Sequence, residues 1–363
     1  LVYGLIAGML GAVLPDFTRK FGLAPGQMGL MGLAQALGLI VASLAAGPMI
    51  GASSKRTALL VALSAAAAGL YMLPRARTVG QVVATLFLID CGGGTIVEAA
   101  NSLSFEMGSA MTEMAKANLL NAAFCVGGVL TPFLAANLCR RDSTRVLRVL
   151  LWTALVAIAL NAANPIDGHS SGASPFARMG DQARHATFWL VSLLFFFSIA
   201  AEVGVWNWLA PFLMGRGISE RSALNIVSLG FALGLLLGRM AVVWIPSPIQ
   251  PETVTLGAAV LTAAATSAML WTRRAAATWA SVFLAGLSMA PVFPNCIAIT
   301  TTAFPNDATA LGLGLIAGWL GMAVSSPAIA MLSGNGGGRL GRGLLLLPAA
   351  SVMLAATCWL LIR

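Results

Sequence analysis

Apolar residues in this chain run in blocks of about 20, and polar residues collect in short breaks between the blocks. Crossing a ~30 Å hydrocarbon core takes about 20 residues of helix, because a helix satisfies its own backbone hydrogen bonds where no water can. On that measure, spans are predicted near 1–18, 27–50, 57–74, 79–104, 113–138 and 145–164, then near 186–214, 219–245, 252–272, 276–303, 308–333 and 341–362. A water-soluble all-α core would need polar faces at helical period, and these segments carry almost none. The stretch between the sixth and seventh spans, "NPIDGHSSGASPFARMGDQARH" (164–185), is rich in Gly, Ser, Pro and charge. The prediction is therefore an all-α integral membrane protein of twelve transmembrane helices. One six-helix bundle covers 1–164, a linker 165–185, and a second six-helix bundle 186–363.

Composition agrees. Of 363 residues 58% are hydrophobic and 9% charged, against roughly 25% charged in an ordinary soluble domain. The net charge of +9 comes from basic residues scattered singly or in pairs, with no basic stripe interleaved with aromatics. Anionic lipid headgroups are a better partner for them than nucleic acid. The five cysteines lie in or beside apolar segments without CxxC spacing and read as packing residues. The chain opens at Leu1, inside an apolar run and without a methionine, which reads as a trimmed N-terminus.

The halves echo one another. "QALGLI" (35–40) returns as "FALGLL" (231–236), and "TLFLID" (85–90) as "SVFLAG" (281–286), both at an offset of 196. A duplicated six-helix unit places two bundles about a pseudo-two-fold axis along the membrane normal, with a site at mid-depth between them.

Charges inside spans are informative because each costs at least about 2.5–3.5 kcal/mol at mid-helix. Asp90 and Glu98 lie in the fourth span, in "FLIDCGGGTIVEAANSL" (87–103), and Glu202 lies in the seventh. Asp16 and Arg239 sit nearer the ends of theirs. Asp90 and Glu98 are about 80° apart around a helix and roughly 12 Å apart along it, with Asn101 one turn beyond Glu98. The fourth helix must therefore turn a polar strip to protein or water, and its three glycines permit close packing or a local distortion.

In the seventh span, "AEVGVWNWLAPFL" (201–213), Glu202 and Trp206 share a face, with Asn207 beside them. An indole next to hydrogen-bonding groups suits a sugar, whose ring has an apolar face and a hydroxylated rim. Trp208 fits a membrane-interface tryptophan better than Trp206 does. The fifth span offers Asn118 and Asn121, for which helix–helix hydrogen bonding is an equally good reading. The tenth, "APVFPNCIAI" (290–299), places Pro291, Pro294 and Asn295 at mid-depth, where prolines free backbone carbonyls. Pro294 corresponds to Glu98 in the repeat. Trp319 and, less directly, Gln35 complete the candidates.

An enzyme is not indicated. Both histidines, His169 and His185, fall in the linker, so no histidine–carboxylate metal set can form within the spans. "GNGGGRLGRG" (334–343) lacks a preceding strand and reads as a connection between helices.

Together these words resemble the major facilitator superfamily, and within it the fucose permease-like sugar symporters. "GGGTIVEAANSL" (92–103) approaches the helix 4 pattern of glycines followed by an acid and, four residues on, an asparagine. "ANLLNAAFCVGGVLTP" (117–132) resembles the helix 5 pattern N-L-x-Q with G-x-x-x-G-P, Asn121 standing for the glutamine. "EVGVWNWL" (202–209) and "APVFPN" (290–295) resemble the helix 7 and helix 10 patterns. "GPMIGASSKR" (47–56) resembles the loop motif after helix 2: Gly47, Lys55 and Arg56 keep register, and Gly51 replaces the aspartate. Two acids of the pattern are displaced. Val97 holds the place of the helix 4 acid, with Glu98 one residue late, and Gly11 holds that of the helix 1 acid.

The resemblance implies a secondary transporter working by alternating access and carrying a small polar solute, a sugar above all. Gln35, Asn101, Asn118, Asn121, Trp206, Asn207, Asn295 and Trp319 would bind the solute, and Asp90, Glu98 and Glu202 would serve coupling. No cofactor is expected beyond a coupling ion, H+ or Na+. A monomer in a plasma or inner membrane with cytoplasmic termini is implied. In that orientation 14 of the 21 Lys and Arg fall outside, four of them in "RRDSTRVLR" (140–148), the reverse of the positive-inside rule. The alternatives are an exporter of lipid-like or amphipathic molecules and a membrane receptor that does not transport.

Overall fold

A computed structural model describes residues 1–52, 54–106, 111–139, 142–164, 179–245, 249–305, 307–334 and 340–363. The described residues form twelve membrane-crossing helices, here α1 to α12, and no strand among them. The first bundle holds α1 (Val2–Ala7 and Met9–Phe21), α2 (Pro25–Ala52), α3 (Lys55–Arg75), α4 (Val79–Glu106), α5 (Glu113–Leu138) and α6 (Ser143–Ala163). The second holds α7 (Ala186–Gly215), α8 (Glu220–Val242), α9 (Pro251–Trp271), α10 (Ala275–Met289 and Val292–Ala303), α11 (Ala308–Ser333) and α12 (Leu340–Gly343 and Leu346–Ile362). By length and apolarity eleven of these can cross a bilayer; α1 is divided at Gly8 into stretches of 6 and 13 residues. The expected linker lies outside the described residues as far as residue 178, and a single turn, Met179–Gln182, precedes α7.

Polar caps punctuate the apolar helices. Ser54, Thr112, Asp142, Ser219 and Asp307 each accept from the first backbone N–H groups of the helix that follows, satisfying donors that a helix start leaves open.

The three glycines of α4 face three different helices, since successive residues turn by about 100°. A side chain on Gly92 would meet the backbone of Ala62 on α3, and one on Gly93 would meet the ring of Tyr3 on α1. On Gly94 it would stand 2.6 Å from the Ala42 methyl on α2. The glycines therefore draw α1, α2 and α3 onto α4 and bring Tyr3 beside Asp90.

The bundles meet where α2 lies along α11, where α5 lies along α8 and α10, and where α1 crosses α7. At the end where α1 finishes, polar bonds tie them together. Arg19 reaches Glu220 at 2.5 Å, Asn137 donates to Asn225 at 2.7 Å, and Arg221 donates to Asn137 at 3.1 Å. Toward the opposite end, where α5 begins, Asn118 of α5 donates to Asn295 of α10 at 3.0 Å.

Candidate functional site

A cavity of about 90 Å³ lies between the bundles and is lined from both. The first bundle contributes Tyr3, Gln35, Asp90, Val97, Asn121 and Phe124; the second contributes Glu202, Trp206, Asn207, Arg239, Phe293 and Trp319. Leu39, Ile199 and Met322 add apolar wall.

Asp90 is fully buried, and the Tyr3 hydroxyl and Gln35 amide approach its carboxyl group. Among the described residues its Oδ2 has no hydrogen-bond partner, nor has Gln35 Oε1, and on the facing bundle Asn207 Nδ2 has none. Buried polar atoms are ordinarily paired. All three belong to residues that line the cavity, but each atom is itself covered by protein in this conformation.

Opposite them lies an ionic cluster. Arg239 is 1% exposed, and protein acceptors surround its guanidinium. Nε donates to the Ala290 carbonyl (3.1 Å), and one terminal nitrogen donates to the Asn121 carbonyl (3.0 Å) and the Cys125 sulfur (2.8 Å). The other terminal nitrogen faces Glu202 at 3.4 and 3.5 Å. Trp206 Nε1 donates to the same carboxylate at 3.3 Å. A buried ion pair holds only when its remaining hydrogen-bonding capacity is met, and here α5, α7 and α10 all supply partners to one side chain of α8.

Of the residues expected at the site, Gln35, Asp90, Asn121, Glu202, Trp206, Asn207 and Trp319 line the cavity. Glu98, Asn101, Asn118 and Asn295 do not. Val97 faces the cavity, and the next residue is rotated by about 100°, so Glu98 turns away toward the Ser43 hydroxyl. That hydroxyl also accepts from Trp319 Nε1 at 3.2 Å. The Asn101 amide folds back onto the Val97 carbonyl at 2.9 Å. Asn118 and Asn295 bond each other across the bundle seam, and Asn295 also donates to Thr255 at 3.2 Å. Trp208, read as an interface tryptophan, is instead buried in the protein.

Two polar lining residues, Tyr3 and Arg239, are not among the residues the sequence singles out for the site. Arg239 was visible as a charge in an apolar run, but its distance from the middle of its span masked it. Tyr3 had no distinguishing signal. A further substitution also acquires a reason here: a side chain on Gly11 would run into the Trp206 carbonyl oxygen, because α1 and α7 touch backbone to backbone there. The place of the expected helix 1 acid is a packing point.

Residues 1–326 match the family model described as Major Facilitator Superfamily. The chain belongs to that superfamily. Membership makes this facilitator an integral multi-pass membrane transporter rather than an enzyme. No curated protein matches its sequence. Among solved structures it is similar to a variant of the E. coli fucose:proton symporter FucP, with a TM-score of 0.73 at 16% identity, covering 100% of this chain and 96% of that one. The xylose transporter XylE from E. coli gives 0.74 at 15% identity, again with 100% and 96% covered. A variant of the nucleoside transporter NupG gives 0.75 at 12% identity, with the same coverage. At these identities the likeness is one of fold: twelve helices in two bundles.

Proposed function

We propose that the chain is a secondary transporter that carries a small polar solute, a sugar by preference, across the bilayer as the two bundles rock about the central cavity. The carrying observation is a cavity lined from both bundles by polar side chains, Gln35, Asp90 and Asn121 from the first and Glu202 and Asn207 from the second, beside the indoles of Trp206 and Trp319. A hydroxylated ring can bond amide and carboxylate side chains through its rim, and its apolar face suits an indole. The names of FucP and XylE, a fucose:proton symporter and a xylose transporter, support the solute class by fold analogy alone. Asp90 carries the coupling ion in this reading, because it is the lining carboxylate that no cationic side chain pairs among the described residues; the name of FucP, a fucose:proton symporter, favours a proton over Na+ by fold analogy alone. The transporter works as a monomer, in a plasma or inner membrane with cytoplasmic termini.

The apolar wall formed by Leu39, Ile199, Phe293 and Met322 favours a second reading, export of an amphipathic molecule. Thermal-shift screening of the purified protein against monosaccharides and against lysolipids separates the two. Stabilisation by sugars alone supports the first, and stabilisation by lysolipids alone overturns it. Uptake into liposomes under an imposed pH or Na+ gradient then tests coupling; indifference to both gradients removes the ion from the mechanism.

A further inference from the structure

A second cavity lies outside the transport path, at the end of the first bundle where α1 finishes. It measures about 310 Å³, at the lower bound of ordinary ligand pockets, about 300–1,000 Å³, and is lined by Leu70, Tyr71 and Arg75 at the close of α3 and by Thr144, Arg148 and Leu151 at the opening of α6. We propose that this groove binds the headgroup of an anionic phospholipid, with Arg75 and Arg148 on the phosphate.

Charge is the first argument. Among the described residues the acids at this end of the first bundle are Asp16, which holds Arg19 and Ser143, and Asp142, which holds Arg145. Neither reaches Arg75 or Arg148, which face the same groove without an ion pair among the described residues. Arg75 is held in place all the same: its guanidinium lies 3.6 Å from the centre of the Tyr71 ring and donates to the Tyr71 carbonyl. A fixed planar fork suits a phosphate, which accepts two parallel hydrogen bonds.

Shape is the second. The groove opens where two helices end, at the depth where headgroups meet hydrocarbon. Below it α6, one of the spans least buried by protein, presents Val149, Trp152, Val156 and Leu160 as one exposed stripe at helical spacing. A headgroup seated on the arginines would lay its acyl chains along that stripe, which a free phosphate cannot use. Basic pockets between spans hold anionic lipid headgroups on the cytoplasmic or matrix side, and here, with the termini cytoplasmic, the same chemistry stands at the opposite end of the bundle. Of the basic residues in "RRDSTRVLR" (140–148), which the positive-inside rule leaves unexplained, this assignment gives Arg148 a role.

The test uses the full-length protein in detergent, titrated with phosphatidylglycerol, phosphatidylcholine, or glycerol 3-phosphate without acyl chains. Native mass spectrometry and the unfolding midpoint are the readouts. Phosphatidylglycerol should be retained at least tenfold more than phosphatidylcholine and should raise the midpoint. The Arg75→Ala/Arg148→Ala pair should lose both effects while unfolding normally in phosphatidylcholine. Replacing Arg77, which does not line the groove, serves as the charge control. Equal retention of the two lipids, a double variant that still selects phosphatidylglycerol, or full stabilisation by glycerol 3-phosphate alone would each overturn the proposal.

Discussion

The Nε of Arg239 donates to the carbonyl oxygen of Ala290 at 3.1 Å, and Ala290 lies four residues before Pro294. In a continuous helix the N–H at position 294 would bond that oxygen, and proline has none. α10 is interrupted in this region, between Met289 and Val292, and the carbonyl freed by Pro294 is satisfied from α8. The same guanidinium binds the Asn121 carbonyl on α5 and faces the Glu202 carboxylate on α7. One side chain thus joins the proline break of the second bundle to the backbone of the first.

Removing it leaves the buried Glu202 carboxylate without its cation and takes a donor from the Ala290 and Asn121 carbonyls. Arg239→Ala is expected to cost about 3–5 kcal/mol, as for other broken buried pairs, and to abolish uptake. Arg239→Met combined with Glu202→Leu, which removes both charges at similar volume, should recover most of the stability but none of the transport. Unfolding midpoints and liposome uptake, measured on the same preparations, separate the structural share of the pair from its functional share.

Asp90 gives the second prediction. Its partners Tyr3 and Gln35 are neutral, so a proton arriving there removes a buried charge that no fixed cation offsets. Asp90→Asn mimics the protonated form permanently. Exchange of labelled for unlabelled solute should persist within a few-fold of the parent, while accumulation driven by a pH gradient disappears. Accumulation that survives in Asp90→Asn would move coupling to Glu202.

How far the sequence foretold this arrangement depends on what each residue's position required. The twelve spans were legible because the bilayer imposes length and apolarity on each one directly. Glu202, Trp206 and Asn207 were legible because mid-span polarity must face protein or water. Glu98 met the same criterion but turns to Ser43 rather than to the cavity. A rotation of one residue, about 100°, decides between the two destinations, and neither composition nor spacing fixes rotation. Asn118 donates to Asn295 across 177 residues of sequence, a pairing that becomes visible only once α5 and α10 are adjacent. Arg239 needed the register of α8 against α10, set by packing along that interface.

The rotation of α4 is itself testable. Val97 lines the cavity and Glu98 does not, so Glu98→Gln should leave the pH dependence of uptake near that of the parent. Val97→Glu, placed in an Asp90→Asn background, puts a carboxylate back into the same cavity. Partial return of gradient-driven accumulation is the expected outcome; an inert double variant alongside a strongly impaired Glu98→Gln would mean that α4 presents its other face during transport.

Gly11 tests whether the crossing of α1 and α7 limits motion. A methyl group there meets the Trp206 carbonyl in this conformation, and overpacking of such a contact costs about 1–3 kcal/mol. Gly11→Ala should therefore disfavour the arrangement in which the bundles touch at this point, more than it disfavours folding as a whole. Arg19 and Glu220 close the bundles at one end, so a reporter cysteine replacing Asn225, half-buried against Asn137 across the same seam, should become more reactive to a membrane-impermeant maleimide. Uptake should fall several-fold as the closed form becomes harder to reach. An unchanged labelling rate together with normal uptake would show that α1 and α7 separate elsewhere, leaving Gly11 a site of static packing.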